Sequence, residues 1–268
     1  MNPRTFFEQA QQWMILGFLA LMGFSCAPAT PPPPKVQGNF VEAQKLYDQG
    51  RSEGAEEILL GLQAKKPSDA NVHLLLGRIY RETQRTDKAI EELEGAVQLD
   101  PHNAPAYATL ARLYQSEKKF DQALAAALEA KKLDPQGGSV YNILGAVYFD
   151  KGDYEEAVKN YEKALAYQAD SAWVYNNLGL VFIQMKKWPE AEAQLKKAIE
   201  ADPENAVAHN NLGVVLNQTG KYDKALKEFE TAHKLDPDYQ KASKNMDETQ
   251  KIIDRSNRSK AKKTQKPS

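Results

Sequence analysis

A single cysteine, Cys26, excludes any intramolecular disulfide and any thiolate metal cluster in this chain of 268 residues. The four histidines (His73, His102, His209 and His233) have no Ser, Cys or second ligand at a spacing that would make a catalytic or metal-binding set. Neither a phosphate-binding loop nor a dinucleotide fingerprint is present. The chain is therefore read as a non-enzyme, without cofactor or metal. A dominant charge is missing too. The net charge is −1, which gives no reason to expect nucleic acid as a partner. The balance is uneven, however: residues 255–268 carry Arg255, Arg258, Lys260, Lys262, Lys263 and Lys266 and no acid. Setting these aside, with Arg4 and Glu8 near the start, leaves 28 bases against 35 acids, so the body is acidic and the tail basic.

What is present begins with residues 1–25, which read as a bacterial export signal. Arg4 and the amino terminus are positive, and Trp13–Phe24 is an apolar run of twelve, short of the roughly 20 residues that span a bilayer. Cys26 follows at once, and the arrangement resembles a bacterial lipoprotein signal in which that Cys becomes the acylated first residue. The alternatives are ordinary signal-peptidase cleavage near Ala27-Pro28-Ala29, or an uncleaved anchor. Acyl chains contribute about 0.8 kcal/mol per buried methylene, enough for stable anchoring without a transmembrane helix. Ala27, where such lipoproteins can carry a retention Asp, implies the outer membrane by the same resemblance. Residues 26–35 thus comprise the lipidated Cys and a Pro-rich linker, reaching about 28 Å over nine residues if extended as polyproline II.

From residue 36 to 239 a pattern recurs every 34 residues without an insertion: 36–69, 70–103, 104–137, 138–171, 172–205 and 206–239. Position 20 of the frame is always Ala (Ala55, Ala89, Ala123, Ala157, Ala191, Ala225), and position 8 is always Gly or Ala. Position 32 is Pro except at Ala169. Small residues at 8, 20 and 27 let two antiparallel helices approach within about 8–10 Å, and Pro ends the second helix. The preceding Asp (Asp100, Asp134, Asp202, Asp236) suits the turn. This is the signature of the tetratricopeptide repeat (TPR), and the chain is identified with that family. The expected fold is all-α: a solenoid of six TPR hairpins in a right-handed superhelix, closed by a C-terminal capping helix over 240–255. Ala242, Met246, Gln250 and Ile253 are its expected buried face. Residues 256–268 are expected to be a disordered basic tail.

In TPR arrays the first helices line a concave groove, so the resemblance nominates candidate partner-binding residues. Arg78 and Arg112 at position 9 and Arg81 at position 12 suit a carboxylate or acidic peptide; pairing with Glu82 and other local acids is the competing account. Asn142, Asn176 and Asn210 at position 5, with Asn177 and Asn211 at position 6, can offer donors and acceptors to an extended backbone. They are similar to the asparagine ladder of the O-GlcNAc transferases. Alternatively, they bond neighbouring helices. Phe149, Trp173, Leu180, Ile183 and Val214 supply apolar contact, unless Trp173 packs between repeats. The carboxylate clamp of chaperone-binding TPRs needs Lys at position 5 and Asn at position 9, which no repeat has.

The layout of signal, spacer and six repeats, with the stretch Leu178–Lys187, resembles the type IV pilus biogenesis lipoproteins that act as secretin pilotins. It implies a scaffold anchored in the bacterial envelope by lipid and facing the periplasm, holding a partner protein in its groove. Rival expectations are an adaptor for peptidoglycan-processing enzymes and a targeting subunit of an enzyme complex. Oligomeric state and partner identity are not written in the sequence.

Overall fold

A computed structural model describes residues 38–264; the export signal, Cys26 and the Pro-rich linker up to residue 37 lie outside that range. The described residues form thirteen α-helices and no strand. Six hairpins follow one another: α1 (Phe40–Asp48) with α2 (Ser52–Lys65), α3 (Ala70–Glu82) with α4 (Thr86–Leu99), and α5 (Ala104–Ser116) with α6 (Phe120–Leu133). Then come α7 (Gly138–Lys151) with α8 (Tyr154–Ala166), α9 (Ser171–Gln184) with α10 (Trp188–Ala201), and α11 (Ala206–Gln218) with α12 (Tyr222–Leu235). A last helix, α13 (Gln240–Thr264), packs on α11 and α12. The expected all-α solenoid is what forms.

Within each hairpin the turn is the same. Every second helix starts at frame position 17. Position 15 is left-handed in all six repeats, as Gly50, Gln84, Lys118, Gly152, Lys186 and Gly220. The N–H of position 16 then closes on the carbonyl of position 11, as Arg85 does on Tyr80 and Lys221 on Leu216, both at 2.8 Å. This six-to-one bond satisfies a carbonyl that the ending helix leaves without a partner. Between repeats the Asp-Pro pairs work as read: Asp100, Asp202 and Asp236 accept from the N–H two residues on, at 3.0–3.1 Å. The repeat that lacks Pro ends differently. Gln168 takes the left-handed conformation (φ 58°), and Ala169 N–H closes on Ala164 O at 2.9 Å.

Close packing inside each hairpin rests on position 8. A methyl built on Gly77, Gly145, Gly179 or Gly213 would lie 2.5–2.6 Å from Leu93, Tyr161, Leu195 or Phe229, each at position 24. In the third repeat, where position 8 is Ala111, position 24 shrinks to Ala127. The first repeat keeps both Ala43 and a buried Leu59 at these positions, so the smaller position 24 belongs to the third repeat and not to every Ala at position 8. Phe229 and Leu195 are wholly buried, in a cluster that Phe182, Trp188 and Met246 flank.

The two ends depart from the frame. Asn39 and Glu42, polar where inner repeats are apolar, start α1: Asn39 Oδ1 accepts from Glu42 N–H at 2.9 Å. At the other end α13 corrects two expectations. Its inner face is Ala242 and Thr249, buried, with Met246 and Ile253 half-buried, a spacing of four, three and four; Gln250 is exposed and bonds Asp254. The helix also continues past residue 255 to Thr264, over most of the stretch expected to be disordered. Ser256–Thr264 contains no Gly or Pro, and Arg, Lys and Ala are strong helix formers even where nothing apolar is buried.

Replacing Gly213 with Ala is expected to cost about 1–3 kcal/mol by overpacking against Phe229. Lys186→Gly is expected to raise stability, because it removes a left-handed strain of about 1–2 kcal/mol, partly offset by greater freedom of the unfolded chain. Urea titrations followed by circular dichroism measure both.

Candidate functional site

The first helices α1, α3, α5, α7, α9 and α11 sit beside one another and carry every candidate groove residue. In the C-terminal half the asparagines bond one another across repeats. Asn211 Nδ2 donates to Asn176 Oδ1 at 2.9 Å, and Asn245 Nδ2 donates to Asn210 Oδ1 at 2.9 Å. Asn177 Nδ2 reaches Asn142 Oδ1 at 3.5 Å. Each link joins position 6 of one repeat to position 5 of the one before. Asn176, Asn210 and Asn211 are buried, and Asn210 also reaches the Tyr239 hydroxyl at 3.4 Å. Of the two readings of these asparagines, the bonds seen are those between consecutive first helices, a clasp; Asn142 and Asn177 in it are half-exposed. The physical reason is spacing: positions 5 and 6 project into the seam between neighbouring helices, where an unpaired amide would be costly. Asn245 was not among the candidates, although it stands 35 residues after Asn210 and continues the series into α13.

Position 4 adds a second stitch. The His209 ring is held on both sides, Nδ1 at 2.7 Å from Glu228 Oε2 and Nε2 at 3.2 Å from Pro203 O. His73 is held in the same way by Glu92 at 2.6 Å and Pro67 O at 2.8 Å. Tyr141 donates its hydroxyl to Pro135 O at 3.0 Å. Each ties a first helix to the turn before it. Both neighbours of His209 are acceptors, so the ring satisfies both by donating from both nitrogens. The Glu228 bond, and then Pro203 O, accordingly raise its pKa above the ordinary histidine value, against the effect of burial.

Apolar groups remain on the same face. Trp173, at the start of α9, keeps 51% of its surface exposed, so about half of it faces solvent. Phe149, Leu180, Ile183 and Val214 are half-buried; Ile183 and Val214 lean on the core, and the Phe149 ring lies 5.9 Å from that of Tyr154.

In the N-terminal half, Arg78, Arg81 and Arg112 meet in an open pocket of about 340 Å³ between α1, α3, α5 and α7. Arg81 pairs with Glu82 at 3.6 Å, and the Tyr47 hydroxyl donates to the same carboxylate. Burial and that hydrogen bond push the Tyr47 pKa up to about 12. Arg78 and Arg112 have no ion pair among the described residues. Local acids thus engage one of the three guanidiniums. Among the described residues no helix is long and apolar enough to cross a membrane, and no group of three His, Cys, Asp or Glu side chains could hold a metal ion.

Three family models match the chain. One described as "Tetratricopeptide repeat" matches residues 40–104 and 176–239, a second of the same description matches 80–146, and one described as "TPR repeat" matches 145–186. Together they run from 40 to 239 without a gap. No curated protein matches the sequence. Among solved structures the chain is similar to PilF of Pseudomonas aeruginosa (19% identity, 78% of this chain and 95% of that one, TM-score 0.66). It is also similar to YrrB, described as a TPR protein with an unusual peptide-binding site (20%, 70% and 96%, TM-score 0.53). TTC0263 of Thermus thermophilus is a third (22%, 66% and 97%, TM-score 0.55). At these identities the likeness is one of fold.

Two outcomes are expected. Asn211→Ala strands the buried Asn176 oxygen and costs about 1–3 kcal/mol, whereas Asn177→Ala, at a longer and wetter contact, stays within about 0.5 kcal/mol of wild type. Folding favours protonated His209, so its contribution is complete below about pH 6.5 and lost as pH climbs through the raised value. The thermal midpoint of wild type relative to His209→Tyr, which keeps a hydroxyl for the Pro203 carbonyl, should fall between pH 6 and 9 as this happens.

Proposed function

Since this chain belongs to the tetratricopeptide-repeat family, we infer that it is a protein-binding scaffold whose first-helix face holds an extended segment of a partner. The observation that carries this is Trp173: a large aromatic, half in water, on the face that every repeat shares. Rigid aromatic side chains anchor protein interfaces because they bury much area at little entropic cost. The backbone of α9 beneath it is fixed by the Asn176–Asn211 clasp, so the ring is presented without prior rearrangement.

The array is tethered to the bacterial envelope through acylated Cys26 and stands off the outer membrane, on its periplasmic side, by the length of the Pro-rich linker. Support comes from the apolar run, the position of Cys26 and the prolines that follow. The layout's resemblance to type IV pilus biogenesis lipoproteins favours a role in placing and assembling a secretin, and the fold shared with PilF is compatible with it. Adaptors of peptidoglycan-processing enzymes, and targeting subunits of enzyme complexes, are the other scaffolds this layout fits.

A photo-crosslinking residue in place of Trp173, activated in the native envelope, separates these. A secretin in the crosslink supports the pilus role, wall hydrolases or synthases the adaptor, and a transferase subunit the third. Trp173→Ala should lower capture of that partner by at least about ten-fold with helicity unchanged; full capture would move the partner to another face. Radiolabelled palmitate should enter the wild type and not Cys26→Ala, and equal labelling of the two would remove the lipid tether.

A further inference from the structure

The basic pocket has the makings of a more selective site than a scaffold needs. Arg78 and Arg112 occupy the same frame position on consecutive repeats, and Arg81 lies one helical turn beyond Arg78. Glu82, next to Arg81 in the chain, is already engaged by the Tyr47 hydroxyl and by Arg81. Arg112 reaches water but stands recessed: desolvation, and then the charge of Arg81, hold its pKa below the ordinary guanidinium value. Three cations gathered with a single lining acid raise the local potential, and a carboxylate placed there would relieve it. The guanidinium fork matches a carboxylate through two parallel hydrogen bonds.

The rim argues for a single carboxylate. Three Asp-Pro aspartates spend their side chains on the turn, but that of Asp134 is not held by such a bond and lines the pocket edge. A polyanion with a charge at every unit would meet Asp134 and an acidic body. One acidic side chain among neutral neighbours would not. Exposed Ser139 stands on the same wall, while the Thr109 hydroxyl is taken by Pro105 O.

We propose that Arg78, Arg81 and Arg112 form a subsite that reads one Glu or Asp side chain of the extended partner segment, two to three repeats N-terminal to Trp173. The proposal rests on the reading of the first-helix face as the binding groove. It differs from a terminal-carboxylate clamp built on Lys and Asn, because the charge lies at positions 9 and 12.

The test uses two blocked hexapeptides identical except for a central Glu or Gln, titrated calorimetrically into the full chain at low ionic strength. The Glu peptide should bind at least about ten-fold more tightly. Arg78→Gln and Arg112→Gln should each erase most of that difference while leaving the Gln peptide unaffected. Arg112→Lys should restore only part of it, since an ammonium lacks the fork. Equal binding of the two peptides overturns the subsite, as does binding of neither. Arginine variants that weaken both peptides alike overturn it too, because they would then act on the fold. Displacement of the Glu peptide by inorganic phosphate at comparable concentration would make the site a general anion site and overturn it likewise. Any of these results, with Trp173 crosslinks intact, removes the subsite and leaves the groove reading standing.

Discussion

The structure depends on how closely two helix backbones can approach at frame position 8. Where Gly77, Gly145, Gly179 and Gly213 leave no side chain, Leu93, Tyr161, Leu195 and Phe229 fill the gap, within 2.6 Å of where a methyl would be. That contact sets the separation of the two helices in a hairpin. The separation in turn decides where the next hairpin can sit, because no hairpin buries its apolar face alone. A substitution there acts through volume, and volume cannot be diluted by solvent as surface charge can.

Polar contacts then fix the register from hairpin to hairpin. The asparagine clasp joins first helix to first helix in the C-terminal half, and a position 4 ring joins α3, α7 and α11 to the turn before each. Both lie in low-exposure seams, where a satisfied hydrogen bond specifies one geometry and an unsatisfied one is penalised. The array therefore presents its groove side chains on a framework already ordered. A partner segment has to lose its own freedom but need not order the scaffold.

Much of this was legible in the sequence, and the limits have physical causes. A period of 34 residues with Ala at position 20 in every copy leaves the hairpin count and helix starts little freedom. The asparagines stayed between two readings because residue type and spacing suit two tasks, reading an extended backbone or joining adjacent helices. Only the depth at which Asn176 and Asn211 lie separates them. Trp173 keeps half its surface in solvent, and the arginines split, Arg81 finding Glu82 while Arg78 and Arg112 did not. The length of α13 was underestimated because poverty in apolar residues predicts loss of packing, which differs from loss of helix. The small residue at position 8 was visible in the letters, yet its tie to position 24 gained meaning only once the two positions touched.

The bond from Asn245 to Asn210 has a consequence for how such a molecule changes over generations. It shows that the terminal helix is joined by the same fitting that joins one repeat to the next. A gene duplication spanning residues 206–239 would then place identical couplings at both of its junctions, with no new contact to invent. The length of the cradle is a quantity that inheritance can lengthen or shorten in whole steps, while the closing piece stays as it is.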